Sequence, residues 1–198
     1  MKRIGLTGGI ATGKSTVAQR WARQPGTVLI DSDLLAHEAY RPGTATYQAV
    51  REMFGDEILL TDGTLNRRRL GEIVFADDQK RLALNHVVHP AVREMWTAQM
   101  ETLAQTGQTQ TVVVAIPLLF EVGAQDQFDW VVAVGCSEAT QLARLLAKGM
   151  TEAHARARMR AQWPLQTKLD RADFVIWNDG ELALLDEQAD LVWKQMQE

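Results

Sequence analysis

The chain has 198 residues, of which 46% are hydrophobic and 23% are charged, a composition typical of an ordinary globular protein. At this length we expect one domain with a sizeable core and room for a small insertion. The net charge of −4 gives no overall attraction to nucleic acid or to an anionic membrane, so any anion site must be built locally.

The only cysteine, Cys136, excludes an intrachain disulfide and a zinc cluster made of several cysteines. Because it follows an apolar run, we expect a buried, inert thiol rather than a nucleophile. No apolar run reaches the length of a membrane span, and the sequence opens on a strand rather than a signal peptide. We therefore expect a cytoplasmic protein that has neither a membrane nor a nucleic acid as partner. The oligomeric state is left open between a monomer and a weak homo-oligomer.

Five short segments are predicted to form one parallel sheet. Each is a nearly continuous run of β-branched or other apolar residues, as is usual in strands covered on both faces. They are Arg3–Leu6, Thr27–Ile30, Thr111–Ile116, Trp130–Val134 and Asp173–Trp177. Helical segments separate them, so the pattern predicts a three-layer α/β fold with right-handed crossovers.

The predicted helices have recognisable ends. The first four are Thr16–Ala22, Leu34–Tyr40, Thr44–Phe54 ending at Gly55, and Asp77–Thr106 interrupted near Pro90. The others are Glu138–Lys148 capped by Ser137 and ended by Gly149, a helix capped by Thr151 that runs to Trp163-Pro164, a short one starting at Pro164, and Glu181–Gln197 with Leu182, Leu185, Ala189, Val192 and Met196 on one stripe. Residues 34–106 have no strand pattern. We expect them to form a helical insertion in the core of residues 1–33 and 107–198, and to bind an acceptor.

Residues Gly8–Ser15 match the pattern G-x-x-x-x-G-K-[ST] between a strand and a helix. Successive backbone N–H groups of such a loop wrap the phosphates, and the next helix directs its positive end at them. Lys14 adds a positive charge, and the Ser15 hydroxyl can hold Mg²⁺. An ordinary glycine-rich turn is the alternative, but the flanking strand and helix favour a nucleoside triphosphate site.

Two carboxylates follow the second predicted strand, in Asp31-Ser32-Asp33. Ligands of open parallel sheets bind at the carboxyl ends of the strands, so these side chains are expected at the cleft. One of them can accept the proton of an attacking hydroxyl or hold Mg²⁺-bound water. The alternative is that Asp31, Ser32 or Asp33 only caps the helix Leu34–Tyr40.

Basic side chains concentrate on the two helices after the fourth strand, at Arg144, Lys148, Arg156, Arg158 and Arg160. Most of a charge run is ordinarily a solvated helix face. A helix, a Gly149 turn and a second helix with arginines on both is also the layout of a lid, here about 140–165. Such lids bring guanidinium groups to a transferring phosphate and exclude water.

Several separate motifs resemble those of dephospho-coenzyme A kinases, in the same order along nearly the whole chain. They are Thr7–Thr16 (TGGIATGKST), Asp31–Glu38 (DSDLLAHE), His89-Pro90, Pro117–Glu121 (PLLFE), Arg158–Gln162 (RMRAQ) and Ala172–Gly180 (ADFVIWNDG). The resemblance implies a P-loop kinase fold. It also implies transfer of the γ-phosphate of ATP to the ribose 3′-hydroxyl of dephospho-coenzyme A, with Mg²⁺ as cofactor.

The resemblance also implies roles for individual residues. The catalytic residues would be Asp33 as general base, Lys14 and Arg144; the metal ligand would be Ser15. ATP would be bound by Ala11, Thr12, Gly13, Lys14, Ser15, Thr16, Arg144, Asn178 and Gly180, the last two beneath the adenine. The acceptor would be bound by Asp33, His89, Pro117, Leu118, Glu121 and Arg158. For His89 the alternative is a core histidine beside Pro90, and for Leu118 and Leu119 it is core packing.

Four features depart from the family pattern or from P-loop proteins in general. Ala11 stands where many members have glycine, so its methyl needs a compatible backbone angle. Lys148 stands where arginine is common, and Trp177 where an acidic residue is common; Trp177 can flank the adenine or cover the sheet edge. The segment Thr111–Ile116 has no carboxylate for magnesium-bound water.

Two other functions are weighed against this one. A P-loop kinase for a nucleoside or nucleoside monophosphate would lack the motifs DSDLLAHE and PLLFE. A GTP-dependent switch would need an N-K-x-D guanine signature late in the chain, and Asn178-Asp179-Gly180 is not one.

Overall fold

The computed structural model describes residues 1–198 and has one sheet of five parallel strands. The strands are β1 (Lys2–Gly8), β2 (Thr27–Asp31), β3 (Thr111–Ala115), β4 (Trp130–Gly135) and β5 (Phe174–Trp177). Their order is β2-β3-β1-β4-β5, so β1 lies in the centre and the phosphate loop leaves the sheet there. The predicted α/β class and all five strands are confirmed, with ends that differ by one or two residues.

Both faces of the sheet are covered, as the continuous apolar runs predict. Side chains alternate between faces along β1. Ile4 and Leu6 belong to a buried cluster with Trp21 and Ala189 of the flanking helices. Gly5 points the other way, where an added Cβ would lie 2.7 Å from Leu119 Cδ1.

Nine helices surround the sheet or follow one another between β2 and β3. They are α1 (Lys14–Trp21), α2 (Ser32–Ala39), α3 (Ala45–Phe54), α4 (Arg67–Ala76), α5 (Asp78–Thr106), α6 (Glu138–Ala147), α7 (Glu152–Arg160), α8 (Leu165–Arg171) and α9 (Leu182–Gln197). The predicted caps at Ser137 and Thr151 are confirmed, because each side chain accepts a hydrogen bond from the backbone N–H three residues on. Thr44, predicted as the first residue of its helix, caps α3 in the same way.

The predicted interruption of helix α5 near Pro90 is wrong, because a single helix of 29 residues includes Pro90 in its interior. Proline removes one backbone hydrogen bond, and packing of the same helix compensates for a single lost bond. Val88, Val92 and Trp96 are buried on either side of Pro90. The long helix is therefore held by its packed face rather than by local propensity.

Leu182 does not belong to the buried stripe of α9, contrary to the prediction. It is the first residue of the helix and is 62% exposed, whereas Leu185, Ala189, Val192 and Met196 are buried. The stripe packs against α1, where the indole N–H of Trp21 donates to the Ala189 carbonyl at 3.0 Å.

The structure divides into two compact units, Met1–Asp31 with Met100–Glu198 and Ser32–Gln99. The first unit holds the whole sheet with α1 and α6–α9. The second holds α2, α3, α4 and most of α5, and the predicted insertion of residues 34–106 overlaps it. No helix combines the length and the apolar character that crossing a membrane requires.

Candidate active site

The phosphate loop lies between the end of β1 and the start of α1, as its sequence pattern predicts. Three of its residues have positive φ: Gly8 at 148°, Ala11 at 60° and Gly13 at 102°. Ala11 is the one non-glycine residue of the chain in this region, where an L-residue carries strain. The methyl group that departs from the family pattern therefore sits at a position that favours glycine.

Three consecutive carbonyls of the loop are held by side chains from outside. Gln141 Nε2 donates to the Ile10 carbonyl at 2.7 Å, Arg144 donates to the Ala11 carbonyl at 3.2 Å, and Asn178 Nδ2 donates to the Thr12 carbonyl at 2.8 Å. In a planar trans peptide the N–H points opposite to the carbonyl. The N–H groups of Ala11 and Gly13 therefore face away from these side chains, which is the arrangement of an anion-binding nest.

Asn178 also explains why position 13 must be glycine. An added Cβ at Gly13 would lie 2.2 Å from Asn178 Nδ2. The Asn178 side chain is buried, and its backbone N–H donates to the Gly135 carbonyl at 2.7 Å. The residue predicted to lie beneath the adenine thus also fixes the phosphate loop to β4.

Arg144 joins the phosphate loop to the loop after β5. One guanidinium nitrogen donates to Ala11 and the other to the Asn178 carbonyl, at 3.0 Å. Asp179, the next residue, accepts the Ser137 N–H at 2.9 Å, and this hydrogen bond holds the pKa of the Asp179 carboxyl below its usual range. The loop that contains exposed Gly180 is therefore anchored from both sides.

The exposed indole of Trp177 lies on β5, an edge strand. The side-chain amide of Gln188 accepts the Trp177 N–H at 3.0 Å and donates to the Trp177 carbonyl at 2.9 Å. The ring also lies against Gly135, where an added Cβ would be 3.1 Å away. These contacts fit the predicted alternative in which Trp177 covers the edge of the sheet.

Lys14 and Ser15 open α1, with Lys14 mostly buried and Ser15 and Thr16 exposed. Four other basic side chains of the predicted lid lie in different surroundings. Arg156 forms ion pairs with Glu138 and Glu152, and Lys148 and Arg160 are exposed. Arg158 is half-buried on α7.

The segment after β3 carries a buried ion pair. Lys168 Nζ lies 2.7 Å from Glu121 Oε1 and donates to the Pro117 carbonyl at 2.7 Å. Leu119 is fully buried and Leu118 is half-buried, so core packing is confirmed for Leu119. Pro117, Leu118 and Glu121 thus stand close to the carboxyl end of β3.

Lys168, Gln141 and Gln162 were missed by sequence reasoning. Each makes its contact with a residue more than 45 positions away, which no local pattern reports. A lysine on a short helix is ordinarily exposed. Only Gln162 could have been noticed from the sequence, because it is the last residue of the RMRAQ motif.

Asp33 and His89 lie in the unit Ser32–Gln99. Helix α2 begins at Ser32, directly after β2, and Asp33 is exposed in its first turn. The alternative that Ser32 or Asp33 caps a helix from Leu34 is wrong, because both lie inside α2. For Asp31, which directly precedes α2, the alternative stays open. His89 is half-buried on α5, and Tyr40, after α2, has its pKa raised to about 12 by burial.

Cys136 is buried beside β4, and burial raises the pKa of its thiol, as expected of an inert cysteine.

A parallel sheet with a fixed phosphate loop after its central strand defines the α/β fold of a P-loop nucleotide-binding protein. A family model for dephospho-CoA kinase matches residues 2–183. The chain therefore belongs to the dephospho-CoA kinase family, as the motifs predict.

Individual relatives agree over nearly their whole length. The dephospho-CoA kinase of Geobacillus kaustophilus is 48% identical over 178 residues, 89% of this chain and 88% of that protein. The crystal structure of TT1252 from Thermus thermophilus has a TM-score of 0.77 at 32% identity and covers 98% of this chain and 97% of that one. Dephospho-CoA kinase from Campylobacter jejuni has a TM-score of 0.69 at 28% identity and covers 99% and 98%.

Proposed function

We propose that this protein transfers the γ-phosphoryl group of ATP to the ribose 3′-hydroxyl of dephospho-coenzyme A, which gives coenzyme A and ADP. The observation that carries the proposal is a phosphate loop whose carbonyls are tied back by Gln141, Arg144 and Asn178, in a chain of the dephospho-CoA kinase family. A loop fixed in this way presents its N–H groups before the nucleotide arrives.

On the donor side, Ala11, Thr12 and Gly13 supply backbone to the phosphates and Lys14 supplies charge. Ser15 and Thr16 follow in the first turn of α1, whose positive end favours an anion. Arg144 lies against the loop, where its charge stabilises the transferring phosphate, and Asn178 and Gly180 adjoin the adenine. Such groups act by alignment and charge neutralisation, which is most of what phosphoryl transfer needs.

Mg²⁺ fits the proposed site as an ion held mainly by substrate and water. Ser15 offers an exposed hydroxyl at the second residue of α1, and β3 contains no carboxylate. The structure has no group of three or more histidine, cysteine or acidic side chains that could bind a metal. Mg²⁺ ordinarily keeps several waters and takes few protein ligands beside phosphates, so one hydroxyl suffices; when bound, it neutralises phosphate charge.

On the acceptor side we propose Asp33 as general base. It takes the proton of the 3′-hydroxyl while that oxygen bonds to the γ-phosphorus and the bond to the ADP oxygen breaks. The acceptor would further contact His89, Pro117, Leu118, Glu121 and Arg158. Support for these roles comes from the family motifs, from the exposure of Asp33 in the first turn of α2 and from the half-buried state of Leu118.

The test is release of ADP from ATP and Mg²⁺ with dephospho-coenzyme A, its 3′-deoxy analogue, AMP or no acceptor. We expect ADP and coenzyme A in equal amounts with dephospho-coenzyme A, and neither with the 3′-deoxy analogue. Activity with AMP instead would favour a nucleoside monophosphate kinase. Equal ADP release without acceptor would favour an ATPase or switch. Cytoplasmic location and a monomer or weak homo-oligomer stay predictions.

A further inference from the structure

A fully buried lysine lies beside the phosphate loop. Lys168, on α8, has 0% of its side chain exposed. Burial lowers the pKa of its ammonium group, Glu121 opposes this effect, and the charge of Lys14 adds to it. Lys168 is therefore near the phosphate-binding lysine, in a position where an unpaired charge would be strongly unfavourable.

Lys168 connects two segments that follow different strands. Its ammonium group binds the Glu121 carboxylate and the Pro117 carbonyl, both in the segment after β3. The Pro117 carbonyl also accepts the Thr7 hydroxyl of β1, at 3.3 Å. The segment Pro117–Glu121 is thus fastened both to α8 and to the strand that leads into the phosphate loop.

The same cluster holds the connection between α7 and α8. Glu121 Oε1 accepts the Trp163 N–H at 2.9 Å, and the neighbouring Gln162 Oε1 accepts the Ile10 N–H at 2.9 Å. The residues Gln162 and Trp163 are therefore bound at once to the phosphate loop and to the Lys168 partner. Loss of the lysine would release this connection on one side.

A contribution to stability alone does not explain the buried pair of Lys168 and Glu121. Apolar side chains of similar volume often replace a buried ion pair without loss of stability. The second carboxylate oxygen, Glu121 Oε2, is buried and has no hydrogen-bond partner. A buried ion pair that leaves one carboxylate oxygen without a hydrogen bond contributes little to stability. Its contribution is therefore better explained by the geometry that it imposes on the segments it joins.

We infer that Lys168 is a positioning residue for phosphoryl transfer, which holds the segment Pro117–Glu121 and the α7–α8 connection in register with the phosphate loop. This inference rests on the proposed function for its kinetic consequence. With Lys168 in place, the proposed acceptor contacts Pro117 and Leu118 keep a fixed distance from Lys14. Small displacements of such groups are enough to slow a reaction that depends on alignment.

The experiment compares wild type, Lys168→Met, Glu121→Gln and the double variant, with Arg20→Met as control. Methionine keeps most of the lysine stem and removes the charge. The double variant leaves neither a buried carboxylate nor a buried ammonium group unpaired, so its comparison with wild type tests loss of the pair even where either single variant fails to fold. Arg20 pairs with Asp186 and Asp190 between α1 and α9, outside the proposed site.

We expect removal of Lys168 to lower kcat/KM for dephospho-coenzyme A by about 10- to 100-fold, the scale of a small misalignment, while KM for ATP is unchanged. Arg20→Met lowers the melting temperature and leaves both kinetic constants unchanged. If the Lys168 variants lose thermal stability but keep wild-type kinetics, as the control does, Lys168 is structural only and the inference is wrong.

Amide hydrogen exchange of the free proteins separates this inference from the proposed function. We expect faster exchange in residues 117–122 and 158–164 without Lys168, and unchanged exchange in β1 and β4. Unchanged exchange in both segments would overturn the inference, whatever the substrate. A wild-type protein that makes no coenzyme A would overturn the proposed function, and the exchange result would still decide whether Lys168 holds the two segments.

Discussion

The phosphate loop and the helical unit Ser32–Gln99 are stabilised in different ways. The loop is fixed by hydrogen bonds from mostly enclosed side chains, such as Gln141 and Asn178, to its carbonyls. Ion pairs of the helical unit such as Arg51–Asp56 and Arg69–Glu57 lie at its surface, and such pairs stabilise little. Backbone groups of a loop keep their positions only when side chains from outside the loop hold them. Side chains on a helix are positioned by the packing of the helix itself.

Substitution of Lys14 by alanine tests the donor half and has the largest expected effect. It removes the charge that opens α1, so turnover falls about 10³- to 10⁵-fold, the scale of a cation acting on a transferring phosphoryl group. Calorimetry measures ATP binding and steady-state kinetics measure turnover, and we expect both to be weakened. Lys80→Ala, at an exposed position of α5, is the control. Undiminished ATP binding in Lys14→Ala would contradict the proposed role.

Substitution of Asp33 by asparagine tests the proposed acceptor side, in the helical unit, separately from ATP binding. Asparagine keeps the shape but cannot accept the proton, so kcat falls about 10²- to 10⁴-fold, as for loss of a general base. ATP affinity is unchanged, unlike in Lys14→Ala. Asp62→Asn, in a turn of the same unit, is the control. Near-normal turnover in Asp33→Asn would remove this residue from the mechanism.

Two opposite exchanges within the phosphate loop test how tightly it is held. Gly13→Ala places a methyl against Asn178 at φ 102°, and Ala11→Gly removes one at φ 60°. Gly13→Ala lowers the free energy of unfolding by at least about 1–2 kcal/mol, which is the cost of an L-residue in the left-handed region. The clash with Asn178 adds to this cost. Ala11→Gly gains at most about 1 kcal/mol, because glycine also loses more freedom on folding. Urea unfolding measures the free energy of unfolding of both variants. Equal changes in the same direction would contradict this prediction.

The smallest effect concerns acid stability. Two carboxyls with a lowered pKa allow the comparison: Asp179, in the loop that adjoins the phosphate loop, through the Ser137 N–H, and Asp56, in the helical unit, through Arg51. Each therefore adds stability above its ordinary pKa of 3.8, and this contribution is lost as pH falls through the lowered value. We expect the melting temperatures of wild type and each alanine variant to differ at pH 7 and to converge in strong acid.

Salt distinguishes these two carboxylates. The exposed Asp56–Arg51 pair is screened, so the effect of Asp56→Ala shrinks at 1 M salt. The contact of Asp179 is a hydrogen bond to a backbone N–H, so the effect of Asp179→Ala persists. An equal loss of both effects would mean that the two regions do not differ in this respect.

Local patterns in the sequence predicted the parts of the fold that local physics determines. The strands, the caps at Ser137 and Thr151 and the phosphate loop each depend on neighbours within a few residues. The path of α5 through Pro90 and the exposure of Leu182 were decided by tertiary packing. The side chains that fasten the phosphate loop were not predictable, since Gln141, Gln162 and Lys168 contact residues far along the chain.

The amide of Gln188 has a consequence for how copies of the protein meet. β5 is an edge strand with exposed apolar side chains at Val175 and Trp177, the kind of edge to which another strand adds. Gln188 already occupies both backbone groups of Trp177. An incoming chain finds no donor or acceptor free at that residue, so a single glutamine protects the end of the strand from intermolecular sheet growth.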